Sequence, residues 1–178
     1  MLNNNLKYCR EELEMTQTEL GIILGSSKQI ISNWETGYTS MPLNKLVRFC
    51  NLYNYSLDFV VGFVRHNTNY NKSIKLDKDK IGRRLKEIRT KLHLTQQELS
   101  DKCNIFQSTY NHYEKGYSLI KIMPIYSICK TYNISMDYLV GRSNNMYING
   151  TKVKNWYSYY AKSVFIIHYS LYIFLQAT

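Results

Sequence analysis

The sequence predicts an all-α chain: two tandem five-helix bundles followed by a C-terminal tail. A gapless internal duplication, helical spacing of apolar residues within each copy, and helix-capping signals that recur at one offset predict it. A shift of 79 residues superposes residues 2–62 on 81–141, and 18 of the 61 aligned positions are identical. Leu6/Leu85, Arg10/Arg89, Thr16/Thr95, Gln17/Gln96, Glu19/Glu98, Glu35/Glu114, Gly37/Gly116, Asp58/Asp137 and Gly62/Gly141 are among the identities. Such self-similarity marks a repeated unit. The chain therefore divides into a first copy (1–63), a connector (64–80), a second copy (81–141) and an aromatic-rich tail (142–178). The connector is polar, charged and without apolar periodicity, the composition of a flexible linker.

Each element follows in order. Leu2, Leu6, Cys9 and Leu13, and likewise Ile81, Leu85, Ile88 and Leu92, recur at the spacing of one helical face and form helix one. Thr16 with Glu19, and Thr95 with Glu98, make a capping box that opens helix two. Gly25 and Asn104 end it, because both residue types tolerate a left-handed backbone. Helix three follows at once, SSKQIISNWE in one copy and FQSTYNHYE in the other, and stops at Gly37 and Gly116. Pro42 suits the start of helix four, which carries Leu43, Leu46, Val47 and Cys50, matched by Ile122, Ile125, Tyr126 and Cys129. Ser56 and Ser135 cap a last short helix, whose first-turn acids Asp58 and Asp137 suit the positive end of its dipole.

Composition narrows the function. With 178 residues, 44% hydrophobic and 20% charged, the chain is too short for a large catalytic barrel and ordinary enough for folded domains. A formal charge of +10 favours a polyanionic partner, with nucleic acid foremost. Cys9, Cys50, Cys103 and Cys129 form no C-x-x-C pair, so they read as core hydrophobes of a cytoplasmic protein. His66, His93, His112 and His168 have no repeated Ser, Cys or carboxylate companion at triad or metal spacing. The expectation is a protein that is not an enzyme and takes no cofactor or metal.

The segments TQTELGIILGSSKQIISNWETG and TQQELSDKCNIFQSTYNHYEKG resemble the lambda-repressor-like, or XRE-type, helix-turn-helix family, whose pattern runs roughly T-Q-x-E-L-A-x-x-x-G-V-S-x-x-x-I-S-x-W-E-x-G. Gly21 and Ser100 stand where alanine is usual, Asn104 replaces the turn glycine, and Ser26 a buried apolar residue. The resemblance implies double-stranded DNA as partner, with helix three entering the major groove and its first turns reading base edges. It selects Ser27, Lys28, Gln29 and Asn33 in the first copy and Phe106, Gln107, Ser108 and His112 in the second. Gln and Asn suit adenine, Lys suits guanine, and Phe106 suits a thymine methyl. Gln17 and Gln96 resemble the family's phosphate-binding glutamine, with Thr39, Ser118 and Lys121 as further phosphate contacts. Ile31, Trp34, Tyr110 and Tyr113 fall on the inward face, and the resemblance implies ion pairs Arg10–Glu35 and Arg89–Glu114.

Charge separates the copies: residues 1–63 carry net −1, 64–80 net +3 and 81–141 net +4. The second copy is expected to anchor the protein on phosphates. Half-sites lie about 34 Å apart in such proteins, and the 18 residues of 63–80 reach roughly 60 Å at about 3.3 Å each, so one chain can cover both. The tail has four basic residues, no acid and an apolar end. Residues 164–175 suit homodimerisation or domain packing better than membrane crossing, which needs about 30 Å of apolar length. The leading function is a sequence-specific DNA-binding transcriptional regulator that represses by occupying promoters. The alternative is an antitoxin-like or other protein-interaction module whose helix-turn-helix units and tail bind a protein partner.

Overall fold

The structure, a computed structural model, describes residues 4–148. Leu2 and the tail beyond residue 148, including 164–175, lie outside the described residues. Ten helices occur among those described. The first bundle contains α1 (Leu6–Glu12), α2 (Gln17–Leu24), α3 (Lys28–Glu35), α4 (Leu43–Tyr53) and α5 (Leu57–Val60). The second contains α6 (Lys78–Lys91), α7 (Gln96–Lys102), α8 (Gln107–Glu114), α9 (Ile122–Tyr132) and α10 (Met136–Val140).

The caps form as their chemistry dictates. The Thr16 and Thr95 hydroxyls each accept the N–H three residues on, while Glu19 and Glu98 accept the capping threonine's N–H at 2.7 Å. These bonds hold both glutamates below the usual carboxylate range. Ser27, Ser56 and Ser135 cap α3, α5 and α10 in the same manner. Asn54 and Asn133 end α4 and α9 in the left-handed conformation. Each core gathers the inward stripes: Leu6, Cys9, Leu20, Leu24, Ile31 and Leu46 in one bundle, Leu85, Ile88, Leu99, Tyr110, Ile125 and Cys129 in the other. All four thiols are unpaired and buried, and desolvation pushes Cys9 up to about 12 and Cys103 to about 11.

The connector is not loose. Asn67 Oδ1 accepts the Ser56 N–H at 2.8 Å, and Asn54 donates to Asn71 Oδ1 at 2.7 Å. Asn51 makes a two-way clasp with the backbone of Ile74, at 2.7 and 3.2 Å. Ile74 and Leu76 pack on the core, and α6 begins inside the expected linker, capped by Asp77. Side-chain amides matching backbone groups do this ordering, and they leave no periodic trace in sequence.

Past Gly141 the chain folds back on the second bundle. The Ser135 N–H donates to Met146 O at 2.9 Å and the Ile148 N–H to Asn133 O at 3.0 Å, with an isolated bridge between Ile134 and Tyr147.

The two bundles meet at α5 and α10, where Asp58 and Asp137, each in the first turn of its own helix, also reach across to the other copy. Both acids are buried, and each carboxylate faces the opposite copy's helix. Asp58 accepts the Met136 N–H and the Ser135 hydroxyl, both at 2.6 Å, and Asp137 accepts the Asp58 N–H at 3.0 Å. Burial, together with the neighbouring Asp137 charge, pushes Asp58 up to about 7; burial raises Asp137 as well. Arg142 supplies the compensating cation: its Nε lies 3.8 Å from Asp137 Oδ1, and Nη1 donates to Tyr55 O at 2.6 Å.

Candidate nucleic-acid interface

Two helix-turn-helix units, α2–α3 and α7–α8, hold the expected reading residues. The turns are made by Gly25 and Asn104 at φ of +60° and +52°. In the first copy the turn is drawn in close: a Cβ on Gly21 would sit 2.5 Å from the Ser26 carbonyl oxygen. The missing methyl there is what admits that carbonyl, which accepts no substitute without a backbone shift. In the second copy Ser100 occupies the place, buried, its hydroxyl donating to Gln97 O at 2.8 Å.

Helices α3 and α8 are each two-faced. Ile31 and Trp34 on α3, and Tyr110 and Tyr113 on α8, are buried, so these aromatics serve the core. Ser27, Lys28 and Gln29 are exposed on α3, with Asn33 half-buried one turn on. Gln29 Nε2 donates to Asn33 Oδ1 at 3.0 Å, which orients the glutamine amide before any partner arrives. The Ser27 hydroxyl also caps α3, accepting the Ile30 N–H at 3.3 Å. On α8, Gln107, Ser108 and His112 are exposed, and the His112 ring meets Tyr117 edge-on at 5.7 Å. Phe106, at the N-cap position, is 83% exposed and makes no side-chain cap. Thr39, Ser118 and Lys121 are exposed beyond α3 and α8.

The inner support is an ion pair repeated in both copies. Arg10 Nε meets Glu35 Oε1 at 2.5 Å and Arg89 Nε meets Glu114 Oε1 at 2.5 Å, while each guanidinium also donates to a backbone carbonyl, Met15 O and Leu94 O. The glutamate side chains are only 2% and 4% exposed. Their bonds raise both arginines above the ordinary guanidinium value. Gln17 and Gln96 reach the same carboxylates, Nε2 donating at 2.8 and 2.7 Å. Their amides thus bridge the start of the first motif helix to the end of the second. The motif's resemblance marked these glutamines for phosphate, and the inward bond to a buried glutamate was not visible in their spacing.

Sequence reasoning also missed Lys45, whose ammonium donates to Leu24 O at 2.5 Å and so ties α4 to the end of α2. A lysine near a helix C-terminus is a signal for that role only when the fold is known. No group of three His, Cys, Asp or Glu side chains comes together among the described residues. No helix among them is long and apolar enough to cross a membrane.

Comparison with known proteins agrees with this geometry. The chain is 35% identical over 75 residues to the HTH-type transcriptional regulator ImmR of Bacillus subtilis (strain 168), an alignment covering 42% of this chain and 59% of that protein. The helix-turn-helix family profile matches twice, over residues 6–60 and 85–139, which is more than half of the chain and coincides with the two bundles. The chain therefore belongs to the XRE-type helix-turn-helix family, with its domain present in two tandem copies.

Proposed function

We propose that the protein is a cytoplasmic, sequence-specific DNA-binding transcriptional regulator, a binding protein rather than an enzyme, which represses by occupying promoter DNA. The observation that carries this reading is the two-faced reading helix, present twice: apolar residues hold it in the core while Ser27, Lys28 and Gln29, or Gln107, Ser108 and His112, face outward. Gln29, held by Asn33, keeps its second amide hydrogen and its oxygen for the N7 and N6 of adenine. Lys28 suits the guanine acceptors, and exposed Phe106 suits a thymine methyl. Asn33 aligns Gln29 and adds its own amide to the surface. Thr39, Ser118, Lys121 and the second amide hydrogen of Gln17 hold phosphates, joined by Gln96 when its amide leaves the long 3.4 Å bond to Asn111, and these contacts set register and carry no sequence information.

The name of the Bacillus subtilis relative as a transcriptional regulator supports this reading, although the chain spans only 59% of that protein. The test is binding to duplexes selected from a random pool. Gln29→Ala and Gln107→Ala are each expected to weaken the preferred sequence by about 1–3 kcal/mol and to relax preference at their own positions. Unchanged affinity and unchanged preference in both variants would contradict the assignment. Binding should also fall steeply with salt, whereas a module that binds only protein shows no specific DNA binding at any salt.

A further inference from the structure

The joint between the bundles fixes how the two reading helices are related. Leu57 and Asp58 occupy the positions of Met136 and Asp137, 79 residues on. The Asp58 carboxylate accepts the Met136 N–H, and the Asp137 carboxylate accepts the Asp58 N–H. Each copy thus gives its acid to the other's first helical turn. The flank repeats the exchange: Ile122 of the second bundle lines a recess with Trp34 and Met41 of the first, while Leu43 of the first lines one with Tyr113 and Ile120 of the second. Leu43, Trp34 and Met41 are the counterparts of Ile122, Tyr113 and Ile120. A contact set that maps onto itself when the copies are exchanged is isologous, which requires a rotation of two-fold type. Head-to-tail stacking of a tandem repeat would instead join two different patches.

From this reciprocity we infer that one molecule of this chain reads an inverted pair of unlike half-sites, an operator palindromic in layout and not in base sequence. This rests on the DNA-reading function above. Readers related by a two-fold axis meet the two strands with the same polarity, so their half-sites are inverted; readers related by translation meet a direct repeat. Both reading helices border the joint, α3 through Trp34 and α8 through Phe106, Thr109 and Tyr113. The halves differ because Ser27, Lys28 and Gln29 stand opposite Phe106, Gln107 and Ser108. Spacing between them is set by the joint, not by connector length. Arg142 crosses it to the carbonyls of Tyr55 and Cys50, at 2.6 and 3.4 Å, and its counterpart Phe63 crosses it to Tyr126, ring centroids 4.9 Å apart. The second reader that a one-domain protein obtains by pairing chains is supplied here within one chain.

The experiment is a random-duplex selection with the full chain, followed by native mass spectrometry on the winning duplex and on a version with one half-site reversed. The expected result is two different half-sites in inverted order, one chain per duplex, and at least a tenfold loss of affinity on reversal. Gln29→Ala should relax one half only and Gln107→Ala only the other. A direct-repeat layout, or identical halves occupied by two chains, would overturn this inference and leave DNA reading intact. Enrichment of no duplex would overturn both.

Discussion

At the scale of single residues, the proposed reading surface is backed by a charge that never touches it. Glu35 and Glu114 are nearly inaccessible, and each is matched by one arginine and one glutamine from the front of its motif. Removing one member of a buried pair strands its partner, at a cost of about 3–5 kcal/mol, whereas replacing both by apolar groups is often tolerated. Arg10→Met alone is therefore expected to lower stability to chemical denaturation by about that amount, and Arg10→Met with Glu35→Met by much less. Additive losses in the double variant would show that the two side chains act separately. The pair was legible in sequence because it recurs at one spacing in both copies of a recognised motif. Its glutamine third member was not, since an amide that grips a buried carboxylate has the same sequence position as one that faces a phosphate.

At the scale of elements, close approach and titration decide two outcomes. Helix α6 passes the end of α8 so closely that a Cβ on Gly82 would lie 2.6 Å from the Glu114 carbonyl oxygen and 2.7 Å from that of Tyr113. Gly82→Ala must push these backbones apart, and overpacking of this kind costs about 1–3 kcal/mol. The better helix propensity of alanine offsets up to about 1 kcal/mol of it, so a net gain in thermal stability would contradict the packing. The α5–α10 joint has its own pH dependence. Asp58 and Asp137 face one another, with Arg142, Tyr70 and the thiols of Cys50 and Cys129 around them. Asp58 is pushed from an ordinary aspartate value up to about 7, so the folded protein holds this proton more tightly than the unfolded chain. The resulting stabilisation is complete below about pH 4 and is lost as pH rises towards 7. The caps at Glu19 and Glu98 act in the opposite sense, being lost as pH falls. Asp58→Asn isolates the joint: the stability of the original protein relative to this variant should decline between pH 4 and 7. A difference independent of pH would remove the raised proton affinity of Asp58 from the account.

At the scale of the whole molecule, what was legible and what was not divide along one line. Helix starts, turns and inward stripes are local, so Thr16, Gly25, Ser56 and their counterparts announced them within a few residues. The exposed row from Ser27 to Gln29 was what the family resemblance implied, with Ile31 and Trp34 on the opposite, buried face. The relation between the copies is not local. Asp58 looked like a dipole partner for its own helix, Arg142 lay outside the repeat, and the asparagines of the connector looked like solvated loop. Only long-range contacts show that these residues fuse two bundles and order the path between them. The central claim is that α3 and α8 meet base edges in the major groove. The most direct measurement is affinity for the selected duplex after each purine in turn is replaced by its 7-deaza analogue, which lacks the major-groove N7 acceptor. The account predicts a loss of about tenfold or more at purines in both half-sites, with little change when the guanine N2 amino group is removed from the minor groove. Indifference to every N7 replacement, or sensitivity to the minor-groove change alone, would contradict it.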